Sequence, residues 1–275
     1  MTKDTDEDKV SPGTKTKNKK KSMNRKKMIY YFLLTVFATV FVISSVMAVQ
    51  IIVVGKKEQS EFDDLTEAVE EIREADYATY EELWEKRNAL LTGKNSDYVG
   101  WLKLLNANVD YPVMWTPDDP EYYLHRSFEK KRTSAGTLFV GKESDINSDY
   151  FIIHGHNMKN GTMFGSLGNY KKASFYANEE NQTFYFYTIE GIRKYQIFAA
   201  VKCRVLFSSE SGYRYYNHAG DLTVDDFNEL VNWLLKNSIY ETGYCPEYGD
   251  QILVLSTCSS HTEEGRFVVA AYRIE

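Results

Sequence analysis

Two residues near the C-terminus, Cys258 and Arg266, have the types and the spacing that cysteine-based acyl transfer requires. Cys258 ends the apolar run QILVLST, and after the seven residues Ser259–Gly265 the arginine opens a second apolar run, RFVVAAYRI. If the two runs form an antiparallel hairpin, the thiol and the guanidinium face each other across its mouth. A permanent positive charge in that place favours a thiolate or stabilises an oxyanion. The alternative is an ordinary hairpin with a chance cysteine and a surface arginine.

Acyl transfer also needs a proton carrier, and five histidines are available. His156 comes just after the apolar stretch DYFIIH and opens a polar loop, so it is presented at a strand end, as the cysteine is. His154 still belongs to that strand and is expected to pack or pair there. His125 follows aromatic residues and is expected to pack, while His218 lies in a polar loop. His261 lies inside the loop between cysteine and arginine, which is expected to be too mobile to hold it.

The two other cysteines are weaker candidates. Cys203 lies in the predicted strand Ile192–Phe207, and alternation along a strand places it on an apolar face with Tyr195, Ile197, Ala199, Val201 and Val205. A buried, inert thiol is therefore the favoured interpretation. Cys245 lies in a loop, and a disulfide between these two cysteines stays open. No CxxC or HExxH spacing occurs, so we expect neither a metal nor another cofactor.

Residues 28–54 are predicted to form a single transmembrane anchor. They contain no charged side chain, and about 20 apolar residues in a helix are enough to cross a bilayer core. Eight basic residues between Lys15 and Lys27 precede the stretch, whereas only Lys56 and Lys57 follow closely. The positive-inside rule then predicts a cytoplasmic N-terminus and an exported remainder, which excludes chemistry that needs cytosolic ATP or NADH. A cleaved signal peptide is the alternative.

The charge of the chain is divided unequally. Residues 1–27 contain ten basic and four acidic side chains, and the remaining 248 residues contain 23 basic and 35 acidic ones, a net charge of −12. A nucleic-acid-binding domain is expected to carry its positive charge on the folded part. The acidic body therefore argues against that class of protein.

Residues 58–91 show helical periodicity in two apolar stripes: Phe62, Leu65, Val69 and Ile72, then, after a shift near Asp76, Tyr80, Leu83, Trp84 and Leu90. The rest of this segment is mostly acidic. We interpret it as one broken or two successive helices that form a stalk and dock against the domain. A coiled-coil dimer is the alternative.

From residue 95 onward the pattern is typical of a mainly β protein. The predicted strands are Val109–Trp115, Gly136–Val140, Asp149–His154, Thr183–Thr188, Ile192–Phe207, Gln251–Thr257 and Arg266–Ile274. TIEGI, with Gly191 at a position that allows positive φ, predicts a tight hairpin. One helix is clear, with Thr223 as N-cap and an apolar face of Phe227, Leu230, Val231, Leu234 and Leu235. Many strands without regular βαβ alternation favour a closed or nearly closed barrel with helical additions.

These motifs together resemble the sortases, the membrane-anchored cysteine transpeptidases of Gram-positive cell surfaces. The motif VLSTC, which ends at Cys258, matches the family signature TLxTC except for valine at the first position. An arginine follows after a short loop, and GHNMKNGTMFGSL precedes the motif by about a hundred residues. DYVGWLKLLNANVDYPVMW, YYLHRSFEKKRTSAGTLFV and the helix near Phe227–Leu235 resemble class B of the family. The resemblance covers residues 95–275.

The resemblance implies a fold and a set of site residues. The fold is a closed eight-stranded sortase-like barrel with N-terminal helices and a helix inserted before the last two strands. Cys258 would be the nucleophile, His156 the acid/base and Arg266 the cation that binds the oxyanion or positions the substrate. Ser256 and Thr257 would flank the site and contact the substrate. No cofactor is implied.

The resemblance also implies partners, and together with the charge and hydropathy patterns it gives an expected organisation. The substrate would be a Thr–Gly-type bond in the C-terminal sorting signal of an exported protein. The acceptor would be an amine of a lipid-linked peptidoglycan precursor. The expected organisation is a basic cytoplasmic tail (1–27), a membrane anchor (28–54), a helical stalk (55–94) and an extracellular catalytic domain (95–275).

Two other functions remain open from the sequence. One is a hydrolytic cysteine protease on the same fold. The other is a non-catalytic, membrane-anchored surface protein, in which Cys258 would be unreactive.

Overall fold

The computed structural model describes residues 24–275 apart from 73–75, 143 and 261. Most of the predicted basic tail and His261 therefore lie outside the described residues. The chain divides into two compact units, Met1–Val53 and Val54–Glu275. The predicted domain boundaries at residues 27, 54 and 94 stay predictions.

In the first unit, the described residues lie in the N-terminal part of helix α1 (Arg25–Glu70). Between Arg25 and Gln50 this helix has a mean hydropathy of 2.4 over its most apolar window, and none of that window is buried. Twenty-six helical residues extend about 39 Å, more than the roughly 30 Å of a bilayer core. The segment is compatible with a single-pass membrane anchor.

The second unit is built from eight strands and the remaining helices of the described chain. The helices after α1 are α2 (Tyr80–Lys94), α3 (Ala173–Tyr176) and α4 (Val224–Asn237). The strands are β1 (Tyr98–Leu104), β2 (Val109–Met114), β3 (Leu138–Val140), β4 (Tyr150–His154), β5 (Thr183–Thr188), β6 (Gly191–Arg204), β7 (Ile252–Cys258) and β8 (Gly265–Arg273).

The strands close into a barrel in the order β1-β2-β3-β4-β7-β8-β6-β5. This confirms the predicted closed eight-stranded barrel with N-terminal helices and a helix before the last two strands. Two neighbouring pairs, β2–β3 and β4–β7, are parallel, and the other pairs are antiparallel. Gly191 has φ of 140° in the tight β5–β6 turn, as predicted.

Strand β1 is the one strand that the sequence analysis did not predict. It carries Gly100, which is disfavoured inside strands, and most of its residues are buried whichever way they point. A β-carbon at Gly100 would lie 2.6 Å from the ring of Phe186. The glycine is therefore needed so that a core ring can pack directly against the backbone of the strand.

The core consists of a barrel interior and two outer layers. The interior contains mainly large apolar side chains such as Phe151, Phe186 and Phe267. One outer layer lies beneath α4, whose N-cap is Thr223 as predicted; its hydroxyl accepts a hydrogen bond from the Asp226 amide. Phe227, Leu230, Val231 and Leu234 are buried in this layer, and Leu235 packs at its edge.

The other outer layer joins the end of α1 and helix α2 to β1 and β5. Its aromatic centre is Trp84, whose ring stacks on Tyr187 with a centroid distance of 3.9 Å. Leu91 is fully buried, whereas Leu90, which the sequence analysis placed in the stripe, is half-buried. The reason is geometric, because Leu91 lies seven residues after Trp84 and so on the same helical face.

A β-bulge in β6 changes which face Cys203 occupies. The pairing of β6 with β8 shifts between Ile197 and Ala199, so one extra residue enters β6. Beyond a bulge, alternation continues on the opposite face. Tyr195 and Ile197 consequently point into the barrel, whereas Cys203 packs in the layer beneath α4. The predicted shared face of Cys203 with Tyr195 and Ile197 is wrong for this reason.

Candidate active site

The cysteine and the histidine are brought together by two neighbouring parallel strands. Strands β4 and β7 run side by side in the same direction, with His154 opposite Ser256. Parallel strands end at the same edge of a sheet. His156 and Cys258 each lie two residues beyond this pair, so both are placed at the same edge of the sheet.

Three hydrogen bonds fix the histidine loop to the end of β7. The Gly155 amide donates to the Ser256 carbonyl at 3.2 Å. The Thr257 hydroxyl donates to the Gly155 carbonyl at 2.8 Å, and the side-chain amide of Asn157 donates to the Cys258 carbonyl at 2.8 Å. The residues on both sides of His156 are thus tied to the strand that carries the thiol.

The arginine is placed by the antiparallel pair β7–β8, in which Cys258 lies directly opposite Arg266. This confirms the predicted hairpin geometry. The guanidinium donates to the carbonyl of Gly265 at 3.1 Å, and its second nitrogen lies 3.7 Å from a carboxylate oxygen of Glu264. Its side chain is 25% exposed, so the guanidinium is accessible to a bound substrate.

All three predicted catalytic residues line one cavity of about 660 Å³. Paired residues project from the same face of a sheet, and alternation puts Ser256, Cys258 and Arg266 on the face outside the barrel. The Cys258 side chain is exposed, and His156 is half-buried. The cavity is further lined by Asp119, Glu121, Leu124, His154, Tyr215 and Tyr216.

A hydrogen bond to the backbone sets the tautomer of His156. Its Nε2 lies 2.8 Å from the carbonyl oxygen of Leu124. A carbonyl oxygen only accepts, so Nε2 carries the proton of this bond. In the neutral ring, Nδ1 is then the nitrogen with a free lone pair, and it is the atom available for proton transfer.

His154 is packed and paired, as expected, and is unsuited to carry protons. It ends β4, and its ring stacks on Phe139 with a centroid distance of 5.4 Å. Burial, and next the charge of Arg266, lower the pKa of His154 to about 4. The side chain therefore stays neutral near pH 7. In the unfolded chain His154 has its ordinary pKa of 6.5 and takes up a proton that the folded state does not. His154 therefore lowers the free energy of unfolding as the pH falls from 6.5 towards 4.

Ser256 and Thr257 line the cavity, but their hydroxyls already have partners in the protein. The Ser256 hydroxyl lies 3.1 Å from the hydroxyl of Tyr215, and that of Thr257 is bonded to Gly155. Their predicted contact with the substrate stays a prediction. Tyr215 and Leu124 were not identified from the sequence. Leu124 lies within a quoted segment but contributes a backbone carbonyl, which no side-chain pattern indicates, and Tyr215 lies far along the chain from the motifs.

All three cysteines are free, so Cys203 and Cys245 do not form the disulfide that the sequence left open. Strand β8 lies between β7 and β6, so Arg266 has Cys258 as its partner on β7 and Cys203 as its partner on β6. Burial nevertheless raises the pKa of Cys203 to about 12, an effect that Tyr215 and Arg266 only partly offset. This supports the interpretation of an inert thiol.

We expect Cys203 to be the slowest of the three cysteines to react with iodoacetamide at neutral pH. Its thiolate fraction falls about tenfold for each pH unit below its pKa. Labelling of Cys203 should consequently increase between pH 7 and pH 10, as measured by mass mapping of cysteine peptides. The exposed Cys245 is the matched control. Equal rates for Cys203 and Cys245 at pH 7 would contradict the assignment.

Comparison with known proteins identifies one matching family. The family model described as the sortase domain matches residues 102–274. Sortase B of Listeria monocytogenes is 30% identical over 181 residues, which cover 64% of this chain and 69% of that protein. Sortase B of Staphylococcus aureus is 26% identical over 183 residues, which cover 66% of this chain and 71% of that protein.

The fold comparison agrees with the sequence comparison. The structure of a Staphylococcus aureus sortase B–substrate complex superimposes with a TM-score of 0.68 at 24% identity. The match covers 80% of this chain and 98% of that one.

Proposed function

This chain belongs to the sortase family, and on that basis we propose that it is a class B cysteine transpeptidase that cuts the sorting signals of exported proteins. The bond cleaved is of the Thr–Gly type, near the C-terminus of the substrate protein. The acyl part is held on Cys258 as a thioester and then transferred to an amine of a peptidoglycan precursor.

The observation that carries this proposal is the convergence of a thiol, an imidazole and a guanidinium on one cavity. The cavity of about 660 Å³ lies within the range of volumes typical of ligand-binding sites. Its floor is fixed by the β4–β7–β8 register, and rigid elements hold catalytic groups more precisely than loops do.

In the first step, the thiolate of Cys258 attacks the carbonyl carbon of the scissile bond. Nδ1 of His156 has by then taken the thiol proton of Cys258; the carbon–nitrogen bond breaks, and Nδ1 gives this proton to the leaving amine. The products are a thioester on the sulfur and a free peptide amine. Nε2 stays hydrogen-bonded to the Leu124 carbonyl throughout, so that Nδ1 alone transfers the proton.

In the second step, an acceptor amine attacks the thioester carbonyl. Nδ1 of His156, now unprotonated, accepts the proton from the attacking amine, and Cys258 leaves as thiolate. An amide forms between the two substrates, and the enzyme returns to its starting charge state. A thioester suits this transfer because it remains reactive towards amines.

Arg266 is proposed to stabilise the negative charge that develops on the carbonyl oxygen in both steps. Cys258 and Arg266 are direct cross-strand partners, and both side chains line the same cavity. It is permanently charged and presents several N–H donors in a fixed plane. Ser256 and Thr257 are proposed to contact the substrate from the adjacent wall of the cavity.

The apolar N-terminal helix is proposed to anchor the enzyme with its N-terminus in the cytoplasm and residues 95–275 outside the cell. Basic residues before the helix support this orientation. The substrate protein and the lipid-linked acceptor would be held at the same membrane. Confinement to one surface raises the effective concentration of all three partners.

The experiment that tests this function is product analysis with and without an amine. We expect the full chain to convert a peptide from a library of Thr–Gly sequences into an amine-ligated product, identified by mass. A strictly hydrolytic product at every amine concentration would instead favour a protease. Absence of cleavage of any library member, with an unreactive Cys258, would favour the non-catalytic alternative.

A further inference from the structure

A second histidine, His125, lies against the ring of His156 and has no part in the function proposed above. The ring centroids are 5.3 Å apart, and the ring planes differ by 22°. The His125 side chain is exposed. Within the described part of the chain, neither of its ring nitrogens has a hydrogen-bond partner. Its contact with His156 is therefore ring stacking.

His125 and the carbonyl that fixes the tautomer of His156 belong to the same short segment. The 3₁₀ turn Tyr122–His125 supplies the Leu124 carbonyl to Nε2 and the His125 ring to the face of the same imidazole. The hydrogen bond to the Leu124 carbonyl fixes the direction of Nε2, and the stacked His125 ring limits rotation of the His156 ring plane. Together they restrict both side-chain torsions of His156.

The turn is rigid enough to act as a support. Tyr123 is fully buried; its hydroxyl donates to Asp97 at 2.8 Å and accepts from the side-chain amide of Asn95 at 2.8 Å. Its carbonyl accepts from the Thr137 amide at 3.0 Å. At Gly136 φ is 62°, and a β-carbon there would lie 2.4 Å from the Leu124 carbonyl oxygen. The chain beside the turn is thus packed against its backbone.

We propose that His125 is a positioning residue whose ring, together with the Leu124 carbonyl, holds His156 in the orientation and tautomer needed for proton transfer. His156 is half-buried at the start of a loop, so its side chain would otherwise sample rotamers directed away from the sulfur. The inference rests on the proposed role of His156. It assigns His125 no contact with the substrate and no proton transfer of its own.

The test compares three substitutions in the full chain: His125→Ala, His125→Gln and His125→Phe. Loss of stacking is expected to lower kcat about tenfold in the Ala and Gln variants, because misorientation of a catalytic group costs rate more than binding. KM for the donor peptide should stay within about twofold of wild type. Phe preserves a flat ring and should restore kcat to within about threefold of wild type.

A readout independent of turnover is the tautomer of His156. In protein labelled with ¹⁵N-histidine, the wild type and the Phe variant should show a single Nε2–H form, and the Ala and Gln variants a mixture of tautomers. The matched control is His218→Ala, which removes an imidazole stacked on Tyr213. That variant should change neither kcat nor the His156 signals.

Unchanged kcat and tautomer in the Ala variant would overturn the proposal. So would a Phe variant as impaired as the Ala variant, because the ring alone would then not be sufficient. Failure of the proposed function is distinguishable, since in that case wild-type protein would form no thioester while the tautomer comparison would still report on His125.

Discussion

Replacement of Cys258 by alanine is expected to abolish both peptide cleavage and amine ligation. The side chain is exposed, ends β7 and lies opposite Arg266, and no other thiol lines the described cavity. Without the sulfur, no covalent intermediate can form, and the remaining groups cannot replace a nucleophile. The measurement is cleavage of a fluorescent Thr–Gly peptide by the variant and the wild type at equal concentration.

Cys245→Ala is the matched control for that experiment, because it removes an exposed thiol from a loop that does not line the cavity. Its activity should equal that of the wild type. Retained cleavage by the Cys258 variant would remove this residue from the mechanism and with it the proposed reaction.

Replacement of Arg266 by lysine is expected to lower kcat/KM by about a hundredfold, the cost typical of losing one oxyanion donor. Lysine keeps the charge but presents a flexible point charge in place of a planar fork. The loss should appear in the rate of thioester formation, since charge on the carbonyl oxygen develops in that step. Single-turnover measurements separate this rate from the later attack of the amine.

Arg273→Lys serves as the control, because Arg273 lies at the opposite end of the same strand and binds the backbone of Glu275. It should react at the wild-type rate. Activity of the Arg266 variant within about twofold of wild type would exclude a transition-state role for the guanidinium.

The pairing of Cys258 with Arg266 could be predicted because it depends on local sequence. Two apolar runs separated by seven residues favour an antiparallel hairpin, and the hairpin fixes the partners near its mouth. The helix that begins after Thr223 was predictable for a similar reason, since its cap and its apolar face are both local patterns.

The meeting of His156 with Cys258 could not be derived from the strands alone. It depends on the parallel register of β4 and β7, whose paired residues are about a hundred positions apart. Such non-local pairing leaves no periodic signal: the strand ends made His156 a candidate, and the resemblance to a family paired it with Cys258. Leu124 and Tyr215 also reach the cavity by non-local contacts, with residues 32 and 41 positions away in the chain.

The face of Cys203 was mispredicted because a bulge is invisible to a rule of strict alternation. One extra residue near Phe198 inverts every later position of β6. Strand β1 was missed because its central glycine, which accommodates the ring of Phe186, disfavours a strand by composition. In both cases a tertiary contact, rather than propensity, determines the local structure.

The chemistry proposed here requires one covalent species, a peptide acyl group on the sulfur that shares its cavity with His156 and Arg266. The direct measurement is mass mapping of the full chain after reaction with a cleavable sorting peptide in the absence of amine. We predict an acyl adduct on the fragment that contains Cys258, which disappears as ligated product when amine is added. An adduct on a different residue, or rapid cleavage with no adduct at any time, would contradict the account.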